Sequence, residues 1–534
     1  MTPTADAEDP NRRGAMLRDL KRFNEALESF EEALRIDPQF VEAHFNRGVA
    51  LYFLKRHDEA LESYARALAL KPGLAEAHYN RGLALFDLQR FDEALAAYEQ
   101  ALAVRPAYAE AHLNRGLVLT RLGRYEEALA SCERSLELKP DLVEAYIDRG
   151  NVLRHLGRTA EALVSCDRAL QMRPDSAEAY LNRGAALYDR AQPWAAVDSY
   201  DRALAVRPNF VVAHQNRAYA RLLAGDFSGG WTDHEWRWSN DADPLAAERR
   251  PFAEPLWLGE HSLVGKRILL YAEQGFGDTL QFCRYVRWVA DLGARVILEA
   301  PEPLARLLES LAGVTQIITR DGARPACDYR CPLMSLPLAF RTTLGTIPVQ
   351  VPYLRAEPAK VRQWGERLGE RRAIRVGLVW SGGFRPHQPS LWSVNARRNV
   401  PLAKLAVLRH PGVEFHSLQK GQPAESELAG VIASGWAGPE IIDWAHALED
   451  FSDTAALAEN LDLIIAVDTA TVHLAGALGR PVWLLNRFDS CWRWLLERTD
   501  SPWYPTLRIY RQSRPGEWED VLERVRADLV ALLA

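Results

Sequence analysis

The chain has 534 residues, a formal net charge of −6, 48% hydrophobic and 25% charged residues, a composition that predicts about three or four folding units of ordinary globular type. The mildly acidic balance gives no long-range pull toward nucleic acid or an anionic membrane surface, and no apolar run approaches the roughly 20 residues that span a bilayer. Six cysteines are too few for a disulfide framework, and the opening Met1-Thr-Pro-Thr-Ala-Asp-Ala-Glu-Asp-Pro10 has neither a basic n-region nor an apolar h-region, so a reduced, cytoplasmic protein is expected.

The first half is periodic. Pro38, Pro72, Pro106, Pro140, Pro174 and Pro208 recur every 34 residues without insertion or deletion. The same step carries Asn46-Arg-Gly48, Asn80-Arg-Gly82, Asn114-Arg-Gly116, Asp148-Arg-Gly150, Asn182-Arg-Gly184 and Asn216-Arg-Ala218, with Arg12-Arg-Gly14 one period upstream. Small residues repeat at Ala26, Ala60, Ala94, Ala128, Ala162 and Ala196, and aromatic ones at Phe30, Tyr64, Tyr98 and Tyr200. Apolar spacing within each unit is helical. It breaks near Lys55-Arg-His57, resumes at Asp58-Glu59 where negative charge suits the helix dipole, and stops at Pro72-Gly73. Two antiparallel helices per 34 residues, with glycine or alanine at their crossing, resemble tetratricopeptide repeats over residues 7–240, about seven in all. The resemblance implies an α superhelix in which stacked units share one core.

Most of these positions read as packing. Cys132 and Cys166, also 34 apart, are equivalent inward positions and are expected as small core residues. The asparagines are different: Asn46, Asn80, Asn114, Asn182 and Asn216, with Asp148 as the one departure, sit beside the buried seam on the side lining the inner groove. An amide donates and accepts at once, so this ladder either grips the backbone of an extended peptide or hydrogen-bonds neighbouring helices. The adjacent Arg13, Arg47, Arg81, Arg115, Arg149, Arg183 and Arg217 form either a basic stripe or, as the surrounding acidic residues favour, salt bridges between helices.

Residues 241–262 read as a junction. Trp231, Trp236, Trp238 and Trp257, with Pro244, Pro251 and Pro255, mark a change of architecture. The tryptophans are expected to glue the array onto the C-terminal half, with an aromatic sugar platform as the alternative. Beyond them short apolar runs at 267–271, 295–298, 314–318, 374–380, 413–418, 461–467 and 481–485 alternate with helical stretches, the pattern of parallel α/β sheets. Two Rossmann-like halves are expected, 263–355 on the acceptor side and 374–511 on the donor side, with a helix at 516–533 strapping them together.

Ligands of such sheets bind outside the carboxyl ends of strands, where helix N-termini present free N–H groups. Two loops qualify. The first, Glu273-Gln-Gly-Phe-Gly-Asp278-Thr-Leu-Gln, puts Asp278 at a helix start, as a general base or merely a cap; lacking a third glycine, it is no dinucleotide fingerprint. The second follows a strand with Asp468-Thr-Ala-Thr-Val-His473, in which Asp468, Thr469 and Thr471 cap a small-residue helix suited to a diphosphate, and His473 is placed to donate to a phosphate oxygen. Cys327 and Cys331 have no second pair, so zinc is not expected, and no Gly-Lys-Ser/Thr P-loop appears.

Gly277-Asp-Thr-Leu280 with Asp468-Thr-x-x-x-His473-Leu-Ala-x-Ala-x-Gly-x-Pro481 resembles the heptosyltransferase branch (family 9) of GT-B glycosyltransferases over residues 262–533. The resemblance implies a GT-B fold, a base role for Asp278, and donor diphosphate binding by Thr469, Ala470 and His473. It also implies phosphate binding by a basic residue ahead of a proline, matched by Arg398 in Arg397-Arg-Asn-Val-Pro401. Ala470 stands where the family usually has glycine and Arg398 where it has lysine. Ser417 and Lys420, in Ser417-Leu-Gln-Lys420, are further donor-side candidates. The layout is similar to that of O-GlcNAc transferases and flagellin glycosyltransferases. The expected function is therefore an inverting, metal-independent glycosyltransferase, with a nucleotide-sugar as substrate, no cofactor, and a protein acceptor held in the repeat groove. A glycan or lipid-linked acceptor, or an inactive binding scaffold, are the alternatives.

Overall fold

The computed structural model describes residues 5–239, 251–383 and 392–534; the opening residues 1–4 and the part of the junction that carries Pro244 lie outside the described residues. The chain divides into two compact units, 1–186 and 187–534.

In the first unit, antiparallel helix pairs such as Val41–Phe53 with His57–Leu70 and Ala75–Asp87 with Phe91–Val104 stack on one another. Each pair turns at a residue with positive φ, at 34-residue steps: Lys21 (59°), Lys55 (62°), Gln89 (59°), Gly123 (76°) and Gly157 (76°). That left-handed residue lets the last carbonyls of the first helix be capped before the second begins. The helices cross where the sequence supplies a glycine: a Cβ added at Gly48 would lie 2.5 Å from the Tyr64 ring. Where the aromatic is replaced by Cys132 or Cys166, the sulfur fills the same site, and both are buried in the core.

Most of the recurring arginines pair across helices, as the acidic surroundings predict; at Arg81 the equivalent partner positions are Ala65 and Ala97. Arg47 reaches Glu31 at 3.2 Å and the Ser63 hydroxyl at 2.7 Å; Arg115 meets Glu99 and Ser131, Arg149 meets Glu133 and Ser165, and Arg183 meets Asp167.

The second unit begins with the end of the Ala177–Asp189 helix and the helices Pro193–Val206, Val211–Leu223 and Phe227–His234. Two parallel sheets come next. The first contains β1 (Arg267–Tyr271), β2 (Arg295–Ala300), β3 (Val314–Thr319) and β4 (Tyr329–Pro332), in the order β3-β2-β1-β4. The second contains β5 (Ile374–Val379), β6 (Val413–Ser417), β7 (Ile441–Asp443), β8 (Leu463–Val467), β9 (Val482–Asn486) and β10 (Leu507–Arg511), in the order β10-β9-β8-β5-β6-β7. Leu269 lies opposite Ile297 in the first sheet and Leu378 opposite Ile465 in the second. Their near-continuous burial is what parallel strands covered on both faces require.

One apolar cluster draws residues from around both sheets, including Leu270, Phe282, Val482 and Trp503. Arg284, buried, ties the parts together by donating to the carbonyls of Gln281, Pro348 and Trp503. The Glu519–Leu533 helix does not strap the halves. Its buried Val521, Leu522, Val525 and Leu529 pack with Val376, Leu402 and Leu405, all on the second sheet's side.

Trp231 and Trp238, the latter 6.4 Å from Tyr271, join the helices at 193–234 to the α/β part, whereas Trp236 and Trp257 each pack on one side. Trp231 is buried, meets Trp492 edge-to-face at 5.4 Å, and donates its indole N–H to the Thr342 carbonyl at 3.1 Å. Trp257 packs edge-on to Phe340, and Trp236 stacks on His214 at 3.9 Å. No helix among the described residues is long and apolar enough to cross a membrane.

Candidate functional site

Both loops singled out in the sequence lie beyond the carboxyl ends of strands, at the places where strand order reverses. The β1 loop adjoins the β1/β4 step, and the β8 loop faces the loop after β5 across the β8/β5 step. They line one cleft of about 560 Å³, together with Gly382, Arg398, Arg487, Cys491 and Arg493.

Gln274, at a φ of 62°, turns the chain out of β1, and the Phe276–Phe282 helix starts at once. Asp278 is its third residue. Its Oδ2 accepts the Gly275 N–H at 2.9 Å, and its Oδ1 pairs with Nη2 of Arg493. It therefore caps its helix and still presents a carboxylate to the cleft. Gly277 is a close-approach glycine: a Cβ there would lie 2.9 Å from Cδ2 of His473 and 3.5 Å from Cα of Ala470. The two loops touch only because that side chain is missing.

On the facing side, Thr469 is the extended N-cap of the Ala470–Ala477 helix, and its Oγ1 is buried without a hydrogen-bond partner among the described residues. His473 lies one turn in. Its Nδ1 is 2.9 Å from the Tyr504 hydroxyl and its ring stacks on Trp494 at 5.4 Å. Burial, reinforced by the Arg493 and Arg284 cations, pushes the imidazole well below its ordinary value. It is thus a neutral hydrogen-bonding ring.

Arg398 donates to the Asp468 carbonyl at 3.2 Å and to Asn395 Oδ1 at 2.7 Å, and crosses Gly382 so closely that a Cβ there would be 1.9 Å from its Nη2. Arg493 was not singled out in the sequence. It donates Nε to Gln281 Oε1 at 2.6 Å and Nη1 to Cys491 Sγ at 3.3 Å, and lies 4.3 Å over the Trp492 ring. Burial alone would lower its guanidinium, but Asp278, Cys491 and Asp468 hold it above the ordinary value. Arg487, also missed, is raised likewise beside Asp489.

Behind the first loop lies a second charged cluster. Arg237 is buried, and its Nε and Nη2 grip both Glu273 oxygens at 2.8 Å. Its remaining protons go to Glu235 at 2.7 Å, to Ser335 at 2.7 Å and to the His234 carbonyl at 3.0 Å. Glu273 opens the loop that ends in Asp278, so this clamp holds the loop's root.

Asp278, Arg398, Asp468, Thr469, Ala470 and His473 are thus brought together on one cleft. Ser417 and Lys420 are not among its lining residues. Ser417 is buried and accepts the Gln419 N–H at 3.2 Å, and Lys420 spends its ammonium on the carbonyls of Leu448 and Glu449. In the repeats, Asn46, Asn114 and Asn182 donate to Asn11 Oδ1, Tyr79 Oη and the Ile147 carbonyl respectively, each 35 residues upstream. These amides bind neighbouring helices; Asn80 and Asn216, half-buried, complete the row. Among the described residues no group of three or more His, Cys, Asp or Glu side chains is placed to hold a metal ion.

Family models described as tetratricopeptide repeat match residues 16–75, 79–143 and 141–209. The N-terminal helical pairs are tetratricopeptide repeats. Protein FlbA of Caulobacter vibrioides is 30% identical over 334 residues, covering 58% of this chain and 53% of FlbA; the chain thus spans about half the length of that relative. Among solved structures, YrrB, a TPR protein with an unusual peptide-binding site, is 25% identical, with a TM-score of 0.31 over 35% of this chain and 96% of YrrB. A thermophilic TPR protein of Thermus thermophilus is 30% identical, with a TM-score of 0.29 over 34% of this chain and 98% of the other.

Proposed function

We propose that residues 262–533 form an inverting glycosyltransferase of GT-B type, taking its sugar from a nucleoside diphosphate donor. The observation that carries this reading is the convergence on one cleft of a carboxylate, a helix N-terminus and three arginines: Asp278, the start of the Ala470–Ala477 helix, and Arg398, Arg487 and Arg493. Asp278 takes the proton from an acceptor hydroxyl, whose oxygen attacks the anomeric carbon. The bond from that carbon to the diphosphate breaks on the opposite face, inverting the centre. The departing diphosphate is met by the free N–H groups after Thr469, by the Thr469 hydroxyl, by a neutral His473 and by Arg398, so the charge that develops is stabilised without a metal.

The acceptor on this reading is a hydroxyl of a protein recruited by the repeats, a class of array that generally binds other proteins. A second reading, with a glycan or lipid-linked acceptor, is favoured by one observation: Asn46, Asn114 and Asn182 already donate to neighbouring helices. Thermal shift against UDP, GDP, ADP, CMP and dTDP tests the donor site. A nucleotide at about 100 times its Kd should stabilise by roughly 2.7 kcal/mol, and Arg398→Ala and His473→Ala should abolish the shift. Silence from all five would remove the enzyme reading and leave a binding scaffold.

A further inference from the structure

The carboxylate assigned as base is already occupied. One Asp278 oxygen holds the Gly275 N–H and the other is paired with Arg493. Each oxygen keeps a second lone pair, but the paired guanidinium crowds the carboxylate and competes with an incoming hydroxyl for it. Arg493 also lines the same cleft as Arg398 and Thr469, and Asp468 acts on its guanidinium as well. Two anionic positions therefore compete for one cation.

Resting on the glycosyltransferase reading, we propose that Arg493 gates Asp278: a nucleoside diphosphate seated against Arg398 and the 470–477 helix draws the Arg493 guanidinium off the carboxylate and onto its phosphate oxygens. The direction comes from charge. A diphosphate presents at least two negative charges and several strong acceptor oxygens, against one carboxylate already shared with a backbone N–H. The proton inventory is unchanged, because an ion pair is exchanged and no bond breaks. Once Arg493 has moved, Asp278 is free to accept the acceptor's proton. Charge building on the leaving phosphate then holds the guanidinium where it is needed. Donor binding thus precedes a competent acceptor site, and the base is masked whenever the donor is absent.

The test is a double-mutant cycle on nucleoside diphosphate affinity, measured by titration calorimetry with whichever nucleotide the thermal-shift panel identifies. Asp278→Asn keeps an oxygen for the Gly275 N–H but removes the charge that competes for Arg493. The gate predicts that D278N tightens binding about tenfold in the wild-type background, that R493Q weakens it, and that D278N gains nothing in the R493Q background. Simple removal of a negative charge from the cleft would tighten binding equally in both backgrounds, and that result would overturn the gate while leaving the donor site intact. Failure of every nucleotide to bind wild-type protein would overturn both. R493K, which keeps the charge, replaces R493Q in the cycle if the latter does not fold, as judged by circular dichroism, with a partial gain expected in place of none.

Discussion

Replacing Arg237 with methionine should cost the second unit several kcal/mol. The guanidinium is 1% exposed and Glu273 is 3% exposed at the side chain. Removing the cation strands a buried carboxylate whose one remaining donor among the described residues is the Met334 N–H at 3.2 Å. Breaking a buried pair from one side typically costs about 3–5 kcal/mol, because the survivor keeps its desolvation penalty. For a unit of this size roughly 1.4 °C of melting temperature accompanies each kcal/mol, so R237M should melt about 4–7 °C low by tryptophan fluorescence, with Trp231 and Trp257 reporting from the same core. Burial pushes the Glu273 carboxyl up and Arg237 opposes it. With Arg237 gone the carboxyl protonates more readily, so the deficit should be largest at pH 8 and shrink toward pH 5. Adding Glu273→Gln should recover most of the loss. A single variant melting within a degree of wild type, or a double variant no better than the single, would refute the clamp.

Two further pH effects arise from buried groups. Burial pushes His473 and His234 well below the ordinary imidazole value, so the unfolded chain binds protons there that the folded chain does not. Stability should therefore fall as pH drops below about 6.5, at up to roughly 1.4 kcal/mol per pH unit for each ring; urea unfolding at pH 7.5 and 5.5 should show His473→Gln flattening that slope by one proton. Asp148 behaves oppositely: burial, helped by Glu144 and opposed by Arg121, pushes its carboxyl up to about 7. The first unit should lose stability as pH rises from about 4 through 7, and Asp148→Asn should raise its melting temperature at pH 8 but not at pH 5.

The repeats were legible because each local signal recurs: the crossing small residues, the prolines after each second helix and the arginines themselves all keep one 34-residue step. The two loops were legible because a strand, a tight turn and a helix start are contiguous in the chain. Arg493 was not, because its partners Asp278 and Gln281 lie 215 and 212 residues away, and nothing in a Trp-Arg-Trp triplet points to them. The Arg237–Glu273 clamp, 36 residues apart, is hidden for the same reason. Lys420 sits in a suitable stretch of sequence, yet its ammonium caps the 448–449 carbonyls. Position along the chain could not say which way that side chain would turn. The short β4 and β7 escaped because Pro332 ends one and the other has three residues, too few for periodicity to register.

The compact-unit boundary at 186/187 falls inside a helix, well upstream of the first α/β strand. This has a consequence for how such a chain is cut, recombined or inherited. A fragment starting at residue 263 would leave Thr342 and Trp492 without Trp231, and Glu273 without Arg237. The helices from 187 to 234 have repeat sequence but belong to the α/β body as its wall. The repeats up to residue 186 belong to the other compact unit. The helices that follow are not interchangeable parts, and any module that carries the chemistry must bring them along.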